Sequence, residues 1–291
     1  MTERKAAIYE WHDGKLRVLE YPQEGVDLEQ VLLDLPVGTY EALRNYDQTK
    51  FFRLDRHLER GVAGCKASGL PEPNPHTLCA GINAAARHFA GEAKLRIDFL
   101  PHPSAMLGMR STVLLSFHPL QLPPRETYQE GVGVYPTSKL KRYSPVIKGT
   151  SFIAARTAHK RLYEDDFEPI LLDPDDYCLE GIMSNFFCFQ GDTLYTAGTG
   201  VLGGITRETL LACAAELGLQ VVEEAVHKNQ VNRMNEAFLS SSVRGVLPVV
   251  RFAGKDIGNG KPGPHTMNLD AAYGELVRSS ARPALPSDES A

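Results

Sequence analysis

Three prolines within six residues, in Pro119-Leu120-Gln121-Leu122-Pro123-Pro124, limit how this chain of 291 residues can fold. Proline fixes its own φ angle and lacks an N–H donor, so the segment favours a semi-rigid linker over a helix or a central strand. Domains usually run to roughly 100–200 residues, which leaves room for two. We therefore predict a small N-terminal domain at 1–121, a linker at 122–133, a larger domain at 134–281 and a disordered tail at 282–291, which is rich in proline, serine and acidic residues.

Hydrophobic periodicity and turn residues predict helices and strands on both sides of this boundary. In the first half we predict strands at 6–11, 16–19, 39–46, 94–100 and 112–117, with helices at 53–68 and 76–90. In the second half we predict helices at 152–163, 206–217 and 267–280, with strands at 169–173, 185–189, 194–196, 220–224, 236–239 and 247–250. The pattern indicates an α+β or α/β fold.

Charge and composition exclude several classes of function. The net charge of −5 provides no general field for nucleic acid or for an anionic membrane. No apolar run approaches the roughly 20 residues of a membrane helix, and the polar start, 1–5, does not resemble a signal peptide. The five cysteines are scattered without metal-ligand spacing, so we expect no metal site and a reducing, cytoplasmic compartment. A catalytic cysteine is the weaker interpretation, because no Cys-His motif accompanies any of them.

Lys148 and Glu180 are the first two candidates for chemistry. Pro145 ends regular structure before Lys148, Gly149 allows a close turn after it, and a predicted helix follows. A lysine at such a junction can project into a cleft and serve as an imine-forming amine, whereas a lone lysine is more often solvated. Glu180 lies beside a strongly apolar strand, where a carboxylate needs a partner such as a protonated pyridine nitrogen. The alternative for Glu180 is an exposed turn acid.

A glycine-rich segment supplies a third candidate. Gly198-Thr199-Gly200-Val201-Leu202-Gly203 matches the dinucleotide-binding fingerprint literally, but its preceding strand is short, polar and late in the chain, so we reject a Rossmann assignment. The glycines lead into a predicted helix with Thr206 as its N-cap, and a helix start with free N–H groups suits a single phosphate equally well. An amine, a carboxylate and a phosphate site in this order fit pyridoxal phosphate.

Two further segments have weaker signals. Arg60 lies one helical turn after His57 and could bind phosphate bidentately, although a surface pair with Glu59 or Asp55 is the more frequent outcome for a lone arginine. His57 alone is more often a packing or solvent-facing residue. The run 240–242 consists of three serines, which could line a polar pocket after a strand or form a simple turn.

Taken together, these segments resemble the class IV, or fold type IV, pyridoxal-phosphate enzymes, which include branched-chain aminotransferases, D-amino-acid aminotransferases and aminodeoxychorismate lyases. The likeness extends over roughly 38–277. The stretches that match are Gly38-Thr39-Tyr40-Glu41-Ala42-Leu43-Arg44, Phe52-Arg53-Leu54-Asp55-Arg56-His57-Leu58-Glu59-Arg60, the segment around Lys148, Leu179-Glu180-Gly181, Ser184-Asn185-Phe186, Leu202-Gly203-Gly204-Ile205-Thr206-Arg207 and Leu239-Ser240-Ser241-Ser242 with Leu247-Pro248-Val249.

This resemblance implies a role for each matching position. It implies a two-domain fold, with a small N-terminal α/β domain and a larger C-terminal domain built on a mixed, β-barrel-like sheet. It implies that Lys148 forms the Schiff base and that Glu180 pairs with the pyridine nitrogen. The remaining implied contacts are to the phosphate from Arg60, Ile205, Thr206 and Ser242, and to the substrate from Tyr40, Lys94, Ser241 and Ser242. A homodimer is also implied.

Several positions depart from the family pattern. The family usually has proline at 203, threonine at 242, and asparagine or glycine at 151, where this chain has glycine, serine and serine. Lys94 stands where tyrosine is frequent, and the segment 100–103 lacks the arginine that D-amino-acid enzymes use for the substrate carboxylate. The sequence therefore leaves open the substrate, its handedness, and the roles of Lys94 and Arg96.

The preferred functional hypothesis is an aminotransferase that acts on a branched-chain or other hydrophobic amino acid and a 2-oxo acid with ping-pong kinetics. Tyr40 and Phe152, near the expected pocket, favour such a donor. The alternatives are a D-amino-acid aminotransferase, a lyase of the aminodeoxychorismate type that eliminates pyruvate, and a non-enzymatic relative. The intact lysine, glutamate and arginine positions argue against the last.

Overall fold

The computed structural model describes residues 5–21, 28–142, 144–160 and 166–284, and the chain divides into two compact units. The first unit contains the chain up to Gln121, the segment Ile147–Ala154 and the chain from Ser279 onward. The second unit contains Leu122–Val146 and Ala155–Arg278.

Helices and strands are interspersed along the whole described chain. The helices are α1 Leu28–Leu33, α2 Leu54–Ala67, α3 Pro75–Phe89, α4 Arg125–Glu130, α5 Ser151–Lys160, α6 Ile205–Glu216 and α7 Pro264–Ser280, with a 3-10 helix at Lys228–Arg233. The strands are β1 Ala7–His12, β2 Lys15–Leu19, β3 Thr39–Tyr46, β4 Lys50–Phe51, β5 Ala93–Phe99, β6 Val113–Pro119, β7 Val132–Thr137, β8 Glu168–Leu172, β9 Cys178–Gly181, β10 Asn185–Gln190, β11 Thr193–Thr196, β12 Gln220–Val222, β13 Glu236–Ser241, β14 Gly245–Phe252, β15 Lys255–Asp256 and β16 Arg282–Pro283.

An antiparallel sheet with helices on it forms the first unit. Its order, within the described residues, is β16-β4-β3-β5-β6-β1-β2. Aromatic and aliphatic side chains of the sheet, including Leu43, Leu95 and Phe117, form one core cluster with side chains of α2 and α3. The register pairs Tyr40 with Asp98 and Ala42 with Arg96, so Tyr40, Asp98 and Arg96 project from one face because side chains alternate along a strand.

A closed barrel forms the centre of the second unit. In the part of the chain that the structure describes, β10, β13, β14, β7, β8 and β9 pair in that order, and the pair Asn185–Glu180 between β10 and β9 closes the ring. The pairings of β7 with β14 and with β8 are parallel, and the others in the ring are antiparallel. Closure leaves no unpaired edge within the ring. The predicted two-domain α/β fold with a mixed, barrel-like sheet is confirmed.

The linear division predicted from the prolines differs from the observed units. The predicted linker 122–133 contains α4 and the start of β7, both in the second unit, because Pro124 stands at the N-cap of α4, where a missing N–H costs nothing. The segment Ile147–Ala154 returns to the first unit. Residues Arg282–Pro283 of the predicted tail pair with β4, whereas residues 285–291 lie outside the described residues.

Most predicted elements agree with the structure to within a few residues, and the omissions are short. The prediction of β3 is correct at both ends. Residues 161–163 of the helix predicted at 152–163 lie outside the described residues. The helices α1 and α4 and the strands β7 and β9 were not predicted, because six residues or fewer give little periodicity and β7 contains a glycine and a proline. No described helix is both long and apolar enough to cross a bilayer.

Candidate active site

Backbone pairing with β3 fixes the segment that carries Lys148 in the first unit. The Tyr40 N–H donates to the Lys148 carbonyl at 2.9 Å, and the Thr150 N–H donates to the Gly38 carbonyl at 2.9 Å. The Gly38 N–H in turn donates to Thr150 Oγ1 at 2.9 Å. A side chain at residue 38 would collide with the carbonyl of Phe99, so glycine is required there. Lys148 is therefore held on an ordered segment next to a sheet.

The ring of Tyr40 adjoins two cations. Lys148 Nζ lies 5.1 Å from the centroid of the Tyr40 ring, and Arg96 Cζ lies 5.0 Å from the same centroid. Both distances are within the range of cation–π attraction. Tyr40 is only 4% exposed, so little water screens these contacts. The structure thus brings together the predicted Schiff-base lysine and one predicted substrate-contacting residue.

The two cations on the Tyr40 face of β5 are both paired with carboxylates. Arg96 donates from Nε and Nη2 to Asp98 Oδ1, at 3.0 and 2.5 Å. Lys94 donates from Nζ to Glu29 Oε1 at 2.7 Å. Burial raises the pKa of the Asp98 carboxyl, and Arg96 offsets part of that rise. Burial acts in the same direction on Glu29, but Lys94 and its neighbours outweigh it and lower the pKa of that carboxyl.

Arg60 forms a buried ion pair with Glu41. Its Nε and Nη2 donate to the two carboxylate oxygens of Glu41 at 2.7 and 2.6 Å, and His57 Nδ1 lies 2.8 Å from Oε2. Burial would raise the pKa of the Glu41 carboxyl, but Arg60 and His57 hold it well below its usual range. Burial also lowers the pKa of His57, which favours a neutral ring that donates from Nδ1.

Arg60 is therefore not the surface arginine that its sequence context alone favours. Arg60 pairs with the buried Glu41, and Glu59 pairs with Arg56. His57 is 1% exposed and hydrogen-bonded, so it is neither solvent-facing nor a plain packing residue. The sequence contained a usable signal, because His57 and Arg60 lie one helical turn apart and can face the same strand.

In the second unit, Glu180 is a buried carboxylate that accepts hydrogen bonds from Arg142, Asn185 and the Leu202 backbone. Arg142 Nε donates to Oε1 at 2.8 Å, the Leu202 N–H donates to Oε2 at 3.0 Å, and Asn185 Nδ2 donates to Oε2 at 3.3 Å. Asn185 Nδ2 also donates to the Leu202 carbonyl at 2.9 Å. Glu180 is 2% exposed, so it is not an exposed turn acid. Arg142 and Asn185 were not predicted as its partners.

The start of α6 lies in the same unit as Glu180. Gly204 is the N-cap and no side chain caps the helix, so the predicted N-cap role of Thr206 is wrong. Thr206 is already inside the first turn, and its Oγ1 lies 3.2 Å from Ser242 Oγ. The first N–H groups of a helix have no partner within the helix. The predicted phosphate contacts Ile205, Thr206 and Ser242 are thus close together.

The glycine run that precedes α6 does lie in a small βαβ unit. Strand β11 pairs in parallel with β12, and α6 connects them. These strands have four and three residues and stand at the end of the sheet. A side chain at Gly204 would collide with Asn185 Oδ1, so this glycine allows the carboxylate-binding amide and the helix start to meet.

The first two residues of the serine run end a strand, and Ser242 lies in the turn after it. Ser240 and Ser241 are the last residues of β13, because the strand extends beyond its predicted end at 239. Ser241 Oγ accepts from the Arg244 N–H and from Arg244 Nε, both at 3.3 Å. Arg244 was not among the predicted site residues.

Cysteine and metal chemistry receive no support from the described residues. All five cysteines are free, and four are buried. Burial raises the pKa of the Cys178 thiol to about 12, so this thiol stays protonated. The described part of the chain contains no group of three or more His, Cys, Asp or Glu side chains suited to a metal ion.

Comparison with known proteins identifies the family. The model of the class IV aminotransferases matches residues 38–252. The chain belongs to the class IV aminotransferase family. The comparisons confirm three predictions, which are the family, the aminotransferase class of enzyme and pyridoxal phosphate as the cofactor.

Individual relatives match this aminotransferase over nearly its whole length. It is 28% identical to a branched-chain-amino-acid aminotransferase of Pseudomonas aeruginosa over 95% of this chain and 94% of the relative. It is 27% identical to a D-alanine aminotransferase of Bacillus licheniformis over 90% of this chain and 95% of the relative. The PLP-bound structure of a hypothetical aminotransferase from Mycobacterium tuberculosis matches with a TM-score of 0.76 at 20% identity, over 94% of this chain and 99% of the other. The structural match shows the shared fold.

The Glu41–Arg60 pair predicts how acid affects the stability of this aminotransferase. Because the pKa of Glu41 is lowered in the fold from its ordinary 4.5, its ionised form stabilises the protein above that value, and the stabilisation is lost as the pH falls below it. We expect Glu41→Gln to reduce the free energy of unfolding by about 3 kcal/mol at pH 7, since it leaves Arg60 and His57 without their partner. Urea unfolding followed from about pH 7 to pH 3.5 measures both effects.

The matched control is Glu59→Gln, which removes an exposed carboxylate paired with Arg56 on the same helix. We expect it to change stability by less than about 0.5 kcal/mol and to leave the pH dependence unaltered. A Glu41→Gln variant that loses stability below pH 4.5 as steeply as the wild type would contradict the assignment.

Proposed function

We propose that this aminotransferase moves the amino group of a branched-chain or other hydrophobic amino acid to a 2-oxo acid by a ping-pong mechanism, with Lys148 as the residue that holds the cofactor. The observation that supports it best is the ordered Lys148 amine beside the buried ring of Tyr40, on a sheet face where the cations Lys94 and Arg96 already have carboxylate partners. Such a surface offers an amine for chemistry and no unpaired cation on β5 for an acidic substrate side chain.

The residues present suit pyridoxal phosphate. Its aldehyde needs an amine, which Lys148 supplies on a segment fixed by backbone pairing. Its ring nitrogen needs an anion, which Glu180 supplies in a buried position. Its phosphate needs donors, which the uncapped first turn of α6 and the hydroxyls of Thr206 and Ser242 supply. Arg60 is the proposed cationic phosphate contact.

Each side chain has a distinct task in the proposed reaction. When bound, pyridoxal phosphate supplies a carbon that accepts the amino group and a ring that accepts electrons. Once the substrate amine has replaced it on the cofactor, Lys148 Nζ would remove the proton from the α-carbon of the amino acid as a general base. It would then deliver that proton, as a general acid, to the cofactor carbon that keeps the amino group. Glu180 keeps a proton on the ring nitrogen, and Arg142, Asn185 and the Leu202 N–H hold that carboxylate in place.

Binding of the substrate is assigned to the remaining predicted residues. Tyr40 and the buried Phe152 offer apolar surface, and Ser241 and Ser242 offer hydroxyls for the α-carboxylate. Lys94 is the less direct candidate, because Glu29 holds its ammonium group. Since the enzyme keeps the amino group between the two halves of the reaction, the first product leaves before the second substrate binds, which gives ping-pong kinetics.

A D-amino-acid aminotransferase is the second candidate, and the D-alanine aminotransferase of Bacillus licheniformis, at 27% identity, favours it. A pyruvate-eliminating lyase of the aminodeoxychorismate type is the third. Purified holoenzyme should be mixed with a panel of L- and D-amino acids while its visible absorbance is followed. Loss of the band with an amino acid supports an aminotransferase, and the enantiomer that reacts decides between the first two candidates. A holoenzyme that reacts with none would refute both.

Lys148→Ala tests the assignment of the reactive lysine. Borohydride reduction fixes the cofactor covalently to the lysine that holds it, and peptide mapping locates the label. We expect the label at residue 148 in the wild type, none in Lys148→Ala, and a rate of amino transfer at least about 100-fold lower in the variant, because general acid–base catalysis is lost. Lys141→Ala, which changes an exposed lysine, should retain both. Label on another residue of the wild type would overturn the assignment.

Ser242→Ala tests the phosphate contact. We expect about tenfold weaker binding of pyridoxal phosphate, the loss of one hydrogen bond to a charged group. Binding of pyridoxal, which lacks the phosphate, should remain unchanged. Titration of the apoenzyme with each compound measures the two dissociation constants. Equal weakening of both compounds would show that Ser242 does not contact the phosphate.

Asp98→Asn tests the preference for a neutral side chain. The substitution removes the negative charge that pairs with the Arg96 guanidinium. This guanidinium lies beside the same Tyr40 ring as Lys148 Nζ. We expect kcat/KM for glutamate relative to leucine to rise about tenfold, since a salt bridge to the freed guanidinium favours the second carboxylate. An unchanged ratio in a folded variant would contradict this explanation of specificity.

A homodimer and a cytoplasmic location remain predictions of the sequence.

A further inference from the structure

The hydroxyl of Ser241 has both of its acceptor positions occupied by one residue. The Arg244 N–H and Arg244 Nε both donate to Ser241 Oγ, at 3.3 Å each. A hydroxyl oxygen has two lone pairs and one proton. With both lone pairs engaged, the remaining capacity of Ser241 is the donation of its own proton.

Arg244 is itself held on three sides. Its Nη2 donates to Glu168 Oε2 at 2.9 Å, and its Cζ lies 5.1 Å from the centroid of the Phe167 ring. The hydroxyl of Tyr128 donates to its backbone carbonyl at 3.0 Å. Only 13% of the Arg244 side chain is exposed. A planar guanidinium held in this way keeps Nε in one place.

Glu168 links this arginine to a second part of the barrel. It is fully buried, and its Oε1 accepts from the Met183 N–H at 2.5 Å and from Ser184 Oγ at 2.9 Å. These residues follow β9, the strand that carries Glu180. A side chain at Gly181 would collide with Glu168 and Ser184, so glycine is required there. The carboxylate therefore ties the turn after β9 to the turn that carries Arg244.

We infer that Arg244 is a positioning residue for substrate binding, which makes the Ser241 hydroxyl a donor only and thereby commits it to the α-carboxylate of the amino acid. An unconstrained serine could accept a hydrogen bond as readily as donate one, and would bind an amide or an alcohol as well as an anion. A serine with saturated lone pairs can only donate, which favours an anion over a neutral group. The inference rests on the proposed function, because it assigns Ser241 to the amino-acid substrate.

The test uses the holoenzyme and two ligands that differ in charge at one end. The first is 4-methylpentanoate, which has the carbon skeleton and carboxylate of leucine without its amino group, and the second is the neutral 4-methylpentanamide. Calorimetry gives both dissociation constants for the wild type, Ser241→Ala, Arg244→Gln, Arg244→Lys and the double variant Ser241→Ala/Arg244→Gln. The variant Arg244→Lys keeps a positive charge opposite Glu168 but lacks the planar guanidinium that donates from Nε to Ser241. It therefore separates the positioning of Ser241 from the loss of the ion pair. Arg251→Gln, an exposed arginine on β14, is the control.

We expect each single variant at residues 241 and 244 to weaken binding of 4-methylpentanoate about tenfold, through a lost hydrogen bond to a charged group. Binding of the amide should weaken by a clearly smaller factor, because a hydrogen bond to a neutral carbonyl contributes less. The double variant should match Ser241→Ala, because Arg244 acts through that hydroxyl. The KM for the amino acid should rise while kcat stays constant.

Two results would overturn the inference. One is an Arg244→Gln variant that binds the carboxylate as the wild type does. The other is a double variant about tenfold weaker than Ser241→Ala, which would mean that Arg244 contacts the carboxylate itself. Failure of the proposed function has a different signature, because the wild-type holoenzyme would then transaminate no amino acid at all.

Discussion

The backbone pair between Glu180 and Asn185 is the contact on which the second unit depends, since it joins β9 to β10 and closes the barrel. The same two residues meet through their side chains, and Asn185 also binds the Leu202 carbonyl, just before the start of α6. One contact thus combines the closure of the fold with the arrangement of the proposed cofactor site. A closed ring of strands resists local movement, which keeps Glu180 in one orientation.

Buried carboxylates with complete sets of donors recur in both units. Glu41 receives Arg60 and His57, Glu168 receives Arg244, Ser184 and the Met183 N–H, and Glu180 receives Arg142, Asn185 and the Leu202 N–H. An unpaired charge at these positions would cost several kcal/mol, whereas a fully bonded one is tolerated and fixes its partners. The enzyme therefore places its functional groups on polar networks that have little freedom to rearrange.

How much of the fold the sequence predicted depends on how far apart the interacting residues lie along the chain. Helices such as α2 and strands such as β3 were predictable because their periodicity is local. The return of Ile147–Ala154 to the first unit was not, because it depends on hydrogen bonds between residues 38 and 150, which are 112 positions apart. The pairs Arg60–Glu41 and Arg244–Glu168, separated by 19 and 76 positions, were missed for the same reason. The prediction of Thr206 as the N-cap was wrong because Gly204 serves as the N-cap, and glycine can do so without a side-chain hydrogen bond.

The sequence by itself determined the family, the cofactor and the order of the chemical groups, since the amine, the carboxylate and the helix start are encoded in short contiguous segments around Lys148, Glu180 and Thr206. Only the tertiary structure decided which charges are neutralised. Asp98 forms an ion pair with Arg96, Glu29 forms one with Lys94, and Arg244 donates hydrogen bonds to the Ser241 hydroxyl. The physical reason is that a segment can specify which groups a residue carries, whereas the partners that hold those groups come from distant parts of the chain and meet only when the sheets form.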